Sequence, residues 1–210
     1  MSVATLANRA HFSIVHQSRV ANLARLFAQA IPPQSTRVLD VGAGDGLLAK
    51  QVMELRPELR FTGVDIMLRP RSFIEIRVFD GQHLPAMNDE YDVVMFSDVL
   101  HHTNNQAQLL REAARVARDV VIVKDHLAEN PLDHAVLRVM DYAGNRHSGV
   151  RLPYEYFSRQ RWHQTAQEAG LSVSAWNDRP HIYSAPLSWA IGRDLHVLAS
   201  FTPVASPTDA

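Results

Sequence analysis

No cysteine occurs among the 210 residues. A disulfide framework and a thiolate zinc site are both excluded, and a reducing compartment fits. No apolar run approaches the ~20 residues that a membrane-spanning helix needs. The opening stretch MSVATLANRAHFSIVHQSRV scatters arginine and histidine and has no apolar h-region, so it does not read as a secretory leader. A cytoplasmic location with no membrane partner is expected. Excess charge is also missing: 21 Lys and Arg stand against 22 Asp and Glu, a formal net charge of -1. That balance lacks the electrostatic footprint of a nucleic-acid binder, so no nucleic-acid partner is expected. Neither H-x-x-x-H nor H-E-x-x-H occurs, and no metal site is expected. No internal repeat is visible, and no linker divides the chain.

What is present suits one globular domain with a sizeable core: 46% hydrophobic and 20% charged residues. Residues 2–30 read as largely helical, with Val20, Leu23, Phe27 and Ala30 at helical spacing and Pro32 and Pro33 as the stop. Short apolar strands follow at Arg37–Val41, Arg60–Asp65, Ile74–Asp80, Tyr91–Asp98 and Asp119–Asp125. Helices are predicted between them: one after Asp45, which can cap it, and one through Ala107, Leu110, Ala114 and Ala117. This alternation indicates βαβ units, a parallel sheet and a doubly wound α/β fold with helices on both faces. Right-handed crossovers bring the strand C-termini to one edge, where ligands of such sheets bind. The acids Asp40, Asp65, Asp80, Asp98 and Asp125 lie at or near those ends.

The last third is less regular. Helices are predicted over Pro131–Tyr142 and around Trp162 to Ala169, the latter closed by Gly170, with an ordered loop at Ser148–Ser158. Strands are predicted at Leu171–Trp176 and Leu195–Phe201. The intervening segment, residues 177–194, is too long for a tight hairpin and reads as an insertion, a lid or a dimer contact. The end of the chain, from Thr202 on, reads as a frayed tail.

Three of the nine glycines fall in VLDVGAGDG, at positions 42, 44 and 46. Gly42 and Gly44 allow a sharp turn at positive φ and close approach of a ligand to the main chain; Gly46 allows the next helix to pack closely. A tight strand-to-helix turn with no ligand needs the same residues. Asp65 follows Gly46 by 19 positions, where a carboxylate can accept from both ribose hydroxyls of a nucleoside. Asp80 can accept from an exocyclic amine of a base. A solvated strand end or a helix cap is the alternative for each acid taken singly.

The motifs VLDVGAGDG, GVDI, FDGQHLPAMNDEYDVVMFSDVLHHT and LLREAARVARDVVIVKD resemble those of class I S-adenosylmethionine-dependent methyltransferases, most closely the small-molecule branch. The resemblance covers residues 36–126 well and residues 127–201 in layout. It implies a Rossmann-like, seven-stranded, mostly parallel sheet ending in an antiparallel strand. It divides the chain into an N-terminal helical cap (1–33), a cofactor-binding half (36–126) and an acceptor-side half (127–201). By the same resemblance Asp40 and the backbone of Gly42, Ala43 and Gly44 hold the methionine part of S-adenosylmethionine. Asp65 holds the ribose, Ile66 and Met67 flank the adenine, and Asp80 with Gly81 meets its edge. The Phe96–Ser97 backbone meets its amino group. S-adenosylhomocysteine is the implied product and a small molecule the implied acceptor.

Two other readings stay open: a nicotinamide-dependent oxidoreductase and a non-catalytic cofactor binder. The oxidoreductase fingerprint wants Gly or Ala at position 47, where Leu47 stands, and Asp45 at the helix start repels a pyrophosphate. Histidines supply the candidate bases. His102, in SDVLHHT, and His126, after the fifth strand, are the catalytic candidates, and at most one of His101 and His102 can face a pocket. His147, in GNRHSGV, is a further histidine of unassigned role.

Overall fold

A computed structural model of the chain describes residues 3–145, 152–183 and 195–204, the side chains of 3–16 and 145 excepted. Its elements in chain order are α1 (Val3–Ala30), β1 (Arg37–Val41), α2 (Leu47–Leu55), β2 (Arg60–Asp65), β3 (Ile76–Val78), β4 (Tyr91–Ser97), a 3-10 turn (Leu100–His102), α3 (Gln106–Val116), β5 (Ala117–His126), α4 (Pro131–Asn145), α5 (Arg159–Glu168), β6 (Leu171–Asn177) and β7 (His196–Pro203). The seven strands form one sheet in the order β3-β2-β1-β4-β5-β7-β6. β1 to β5 pair in parallel, and β7 runs antiparallel to both β5 and β6.

Alternation along the strands builds two cores. Val38 of β1, Val93 and Met95 of β4 and Val120 and Ile122 of β5 face one side, against Phe27 and Ile31 at the end of α1 and Ala49 and Val52 of α2. Leu39, Val41, Val94, Phe96, Val121 and Val123 face the other side, against α3 and α5. Successive residues thus feed opposite layers, and such strands read as continuous apolar runs. Phe27 is fully buried. Its truncation to alanine would cost ~3–5 kcal/mol.

The chain winds outward from β1 to β3, then jumps back to lay β4 on the other side of β1. The switch point therefore lies between the C-terminal ends of β1 and β4. The glycine loop leaves β1 there, and the 3-10 turn leaves β4 beside it.

Several predicted boundaries move. The third strand is only Ile76–Val78, so Asp80 stands two residues beyond its end. Ala117 belongs to β5 rather than to a helix. The cap of α2 is Gly46; Asp45 instead accepts from the Leu47 N–H at 3.0 Å. Thr202 and Pro203 pair with β6 and are strand, not tail. Ser158 caps α5, and Gly170 follows it at φ 76. His147, the first part of the 148–158 loop and most of the 177–194 insertion lie outside the described residues.

Candidate functional site

β1 ends in a turn that needs glycine for two different reasons. Gly42 has φ 73, and a Cβ there would lie 2.4 Å from Val99 Cγ2, so the loop is pressed against the segment after β4. Gly44 has φ 62, and a Cβ there would meet nothing within 4 Å. Gly42 is a packing glycine; Gly44 lays bare main chain beside open space. The loop is tied down by Gly42 N–H to the Val64 carbonyl at 2.7 Å and by Gly44 N–H to Asp65 Oδ2 at 2.8 Å. Asp65 Oδ1 accepts from the Met67 N–H at 3.1 Å, so one carboxylate joins the ends of β1 and β2.

Gly44 opens onto a cleft of about 560 Å³ at the switch point. Gly42, Gly44, Asp65, Ile66 and Met67 line one part of it, and Asp80, Gly81 and Phe79 another. Asp98, Val99 and His102 close the side beneath β4. Asp40, Ala43, Phe96, Ser97 and His126 are not among the described residues that line it. Phe96 is fully buried in the core. Asp40 lies buried behind the loop, where burial, then the charge of Asp65, pushes its carboxyl up to about 8. Asp80 is exposed; its Oδ1 accepts from the Gln82 and His83 N–H groups, both at 2.7 Å, and Oδ2 meets His83 Nδ1 at 2.8 Å. The His83 contact first, then these backbone bonds, lower its carboxyl to about 2.

The adjacent histidine rings lie against one another, centroids 3.9 Å apart, but of the two only one lines the cleft. His102 lines the cleft, and burial, then the charge of His101, lowers it to about 4, so its ring is neutral at pH 7. His101 is 3% exposed and turns inward, with Nδ1 2.5 Å from Asp125 Oδ1. His126 is also buried; its Nδ1 lies 3.2 Å from His101 Nδ1. Trp162 Nε1–H donates to the His126 carbonyl at 3.2 Å and fixes that strand end.

Beside this pair lies an ionic group of which the sequence pointed only to Asp98, as a strand-end acid. Lys124 of β5 is wholly buried and ion-pairs with Asp98, which also takes Arg19 from α1. Burial works against the Asp98 carboxylate, yet Lys124 and Arg19 hold it well below the usual range. Asp98 has φ 57, a left-handed conformation that aspartate tolerates better than most non-glycine residues. Through this triad α1 is fastened to a wall of the cleft. His196 faces His126 across the β5–β7 pair, and its Nδ1 is 3.4 Å from Lys124 Nζ. Arg19, Asp98 and His196 come from distant parts of the chain. The only other local signal is the charge of Lys124 inside VVIVKD, a run apolar enough to be buried.

A doubly wound sheet with an inserted antiparallel β7 and a bare glycine turn at its switch point defines the class: a Rossmann-like fold of the methyltransferase type. Comparison with known proteins specifies it. The family described as "Methyltransferase domain" matches residues 13–175, and the chain belongs to it, a class I methyltransferase family. The malonyl-[acyl-carrier protein] O-methyltransferase of Geobacter sulfurreducens is 32% identical over 107 residues, 46% of this chain and 39% of that protein. The sarcosine/dimethylglycine N-methyltransferase of Aphanothece halophytica is 31% identical over 104 residues, 41% of this chain and 35% of that protein. The matched stretch thus spans less than two-fifths of either relative. The structure of the PH0226 protein from Pyrococcus horikoshii superposes with a TM-score of 0.66 at 18% identity, covering 90% of this chain and 91% of that one. No described helix is long and apolar enough to cross a membrane.

Proposed function

We propose that the chain transfers the methyl group of S-adenosylmethionine to an oxygen, nitrogen or carbon of a small-molecule acceptor in the cleft above Gly44. One observation carries the reading against the nicotinamide alternative. The Leu47 N–H, which opens α2 and would meet a pyrophosphate, already donates to Asp45 Oδ1 at 3.0 Å. A second carboxylate, Asp65, takes the Gly44 N–H. Acids on these amides repel a diphosphate and suit a sulfonium cation.

The donor set fits the cofactor. Gly44 offers uncovered main chain with room beside it for the methionine part. Asp65 stands at the end of β2 for the ribose, with Ile66 and Met67 beyond it for the adenine face and Asp80 and Gly81 for its edge. Asp40, behind the loop and protonated at neutral pH, supports the glycine turn from within rather than touching the bound cation. Ala43, Phe96 and Ser97 support the site by shaping the backbone.

The sulfonium supplies an activated methyl group with a good leaving group already in place. What this chain contributes is alignment, which can reach an effective molarity of ~10⁵–10⁸ M. His102, neutral at pH 7 and on the cleft wall, takes the proton of an oxygen or nitrogen acceptor. His126 stands behind His101 and is not assigned this role.

The acceptor class is tested by incubating the protein with methyl-labelled S-adenosylmethionine and separate small-molecule, protein and RNA fractions of a cell extract. Label entering the small-molecule fraction is the expected result. Label confined to protein or RNA refutes the acceptor class.

A further inference from the structure

Behind the cleft, His101, Asp125 and His126 bring three ligand-type atoms together from the 3-10 turn and from the end of β5. The separations are 2.5 Å from His101 Nδ1 to Asp125 Oδ1, 3.2 Å between the two Nδ1 atoms, and 3.6 Å from His126 Nδ1 to Asp125 Oδ1. A point about 1 Å above the plane of that triangle is ~2.1 Å from all three atoms, the length of a zinc–imidazole or zinc–carboxylate bond, and a tetrahedral ion there requires the 2.5 Å hydrogen-bonded pair to give up its proton and open toward ~3.4 Å. Two imidazoles and one carboxylate are donors suited to a first-row transition metal rather than to magnesium or calcium.

The surroundings have the form of a metal's outer shell. The Asp125 carboxylate is wholly buried and held by two backbone donors, the His126 N–H to Oδ1 at 2.7 Å and the Leu100 N–H to Oδ2 at 2.9 Å. On the far side of both rings stands Asp141, 3.6 Å from His101 Nε2 and 3.9 Å from His126 Nε2, itself bonded by the Tyr156 hydroxyl at 2.6 Å. One carboxylate thus stands within ion-pair range of both rings, on the side from which ligating imidazoles are oriented, though beyond hydrogen-bond distance of either. Charge points the same way. Asp98 takes both Lys124 and Arg19, whereas Asp125 and Asp141 have no lysine or arginine ion pair among the described residues. Two buried carboxylates around two imidazoles call for positive charge between them, which a protonated His101, 2.5 Å from Asp125 and 3.6 Å from Asp141, supplies until a cation displaces its proton. A neighbouring group, Asp98, His126 and His196, is spaced for a cation as well, but the Lys124 ammonium already lies against Asp98 and His196.

We propose that His101, Asp125 and His126 bind one divalent first-row transition-metal ion directly behind the cleft wall that carries His102. The site is independent of the methyltransferase reading. No H-x-x-x-H spacing announces it, because its ligands come from two elements that meet only when β4 and β5 pair.

The test is titration of the chelator-treated full chain with Co²⁺, read by its visible ligand-field absorption and by bound metal after gel filtration. One equivalent per chain is expected, with binding weakened at least about tenfold in His126→Asn and in Asp125→Asn and unchanged in His163→Asn. No visible band and no retained metal in the wild type overturn the proposal, as does wild-type affinity in both site variants. Should both variants fail to fold, the wild type decides alone: Zn²⁺ must shift the Nδ1 resonances of two histidines in ring-¹⁵N spectra, and shifts absent or confined to other histidines overturn it. S-adenosylhomocysteine calorimetry on the same sample reports separately on the methyltransferase site.

Discussion

Gly42 and Gly44 share a left-handed backbone but not their surroundings, and substituting each by alanine separates what the loop does for folding from what it does for binding. An L-residue in that conformation costs ~1–2 kcal/mol, which both variants incur. At Gly44 the new methyl group meets nothing within 4 Å, so Gly44→Ala should lose only that amount of stability. At Gly42 the methyl lands 2.4 Å from Val99 Cγ2 and 2.9 Å from Val99 Cγ1. Overpacking of that kind adds ~1–3 kcal/mol, for a total of ~2–5 kcal/mol. Val99→Ala in the Gly42→Ala background should recover much of the added part, and a double-mutant cycle would show the coupling. Urea unfolding with a check on the m-value measures all four proteins. Binding should rank the other way for its cause: the Gly44 methyl projects into the cleft and should weaken S-adenosylhomocysteine binding about tenfold or more, ~1.4 kcal/mol, in a fully folded protein. A Gly44→Ala variant that is as unstable as Gly42→Ala, or that binds the product with unchanged affinity, would refute the reasoning.

Three further perturbations follow from the charged groups. Asp40 keeps its proton in the folded state to about pH 8 against 3.8 when unfolded, so folding takes up a proton in that window and stability falls as pH rises through it. Asp40→Asn should flatten that slope and be the more stable protein at pH 8.5; an unaltered urea profile would count against the buried, protonated carboxyl. His102 has the opposite sign: its ring titrates near 4 when folded and 6.5 when unfolded, so its contribution is lost as pH falls across that range. In His102→Gln the acid side of the stability profile should become shallower, and the pH dependence of methyl transfer to an oxygen or nitrogen acceptor should change with it. Lys124→Met leaves Asp98 with Arg19 alone in a buried setting and should destabilise by ~3 kcal/mol, less when Asp98→Asn is added; a neutral Lys124→Met would show that the pair is unimportant to folding.

Residues 36–126 were legible because each parallel strand is a short apolar run that stops at a polar residue, and the runs recur at βαβ spacing. Gly42, Gly44, Asp65, Asp80 and His102 fall together on the cleft because the strand ends do. Local turn chemistry was harder to read. Asp45 looked like a helix cap, but the turn puts Gly46 there and leaves Asp45 on the next amide but one. Asp80 looked like a strand end, but its bonds to Gln82 and His83 close a turn of their own. Of the ionic group only Asp98, as a strand-end acid, was legible. Arg19, Asp98, Lys124 and His196 are joined by the crossing of α1 over β4 and by the insertion of β7 beside β5, and neither is written in any local spacing. His126, a catalytic candidate by its place after the fifth strand, is instead the last residue of β5 and is buried.

The central claim is that uncovered main chain at Gly44, flanked by carboxylates, receives a sulfonium cofactor rather than a dinucleotide. Isothermal titration of the full chain with S-adenosylhomocysteine and, separately, with NADH tests it most directly. One S-adenosylhomocysteine bound per chain with no detectable NADH binding is the expected result; tighter binding of NADH would contradict it.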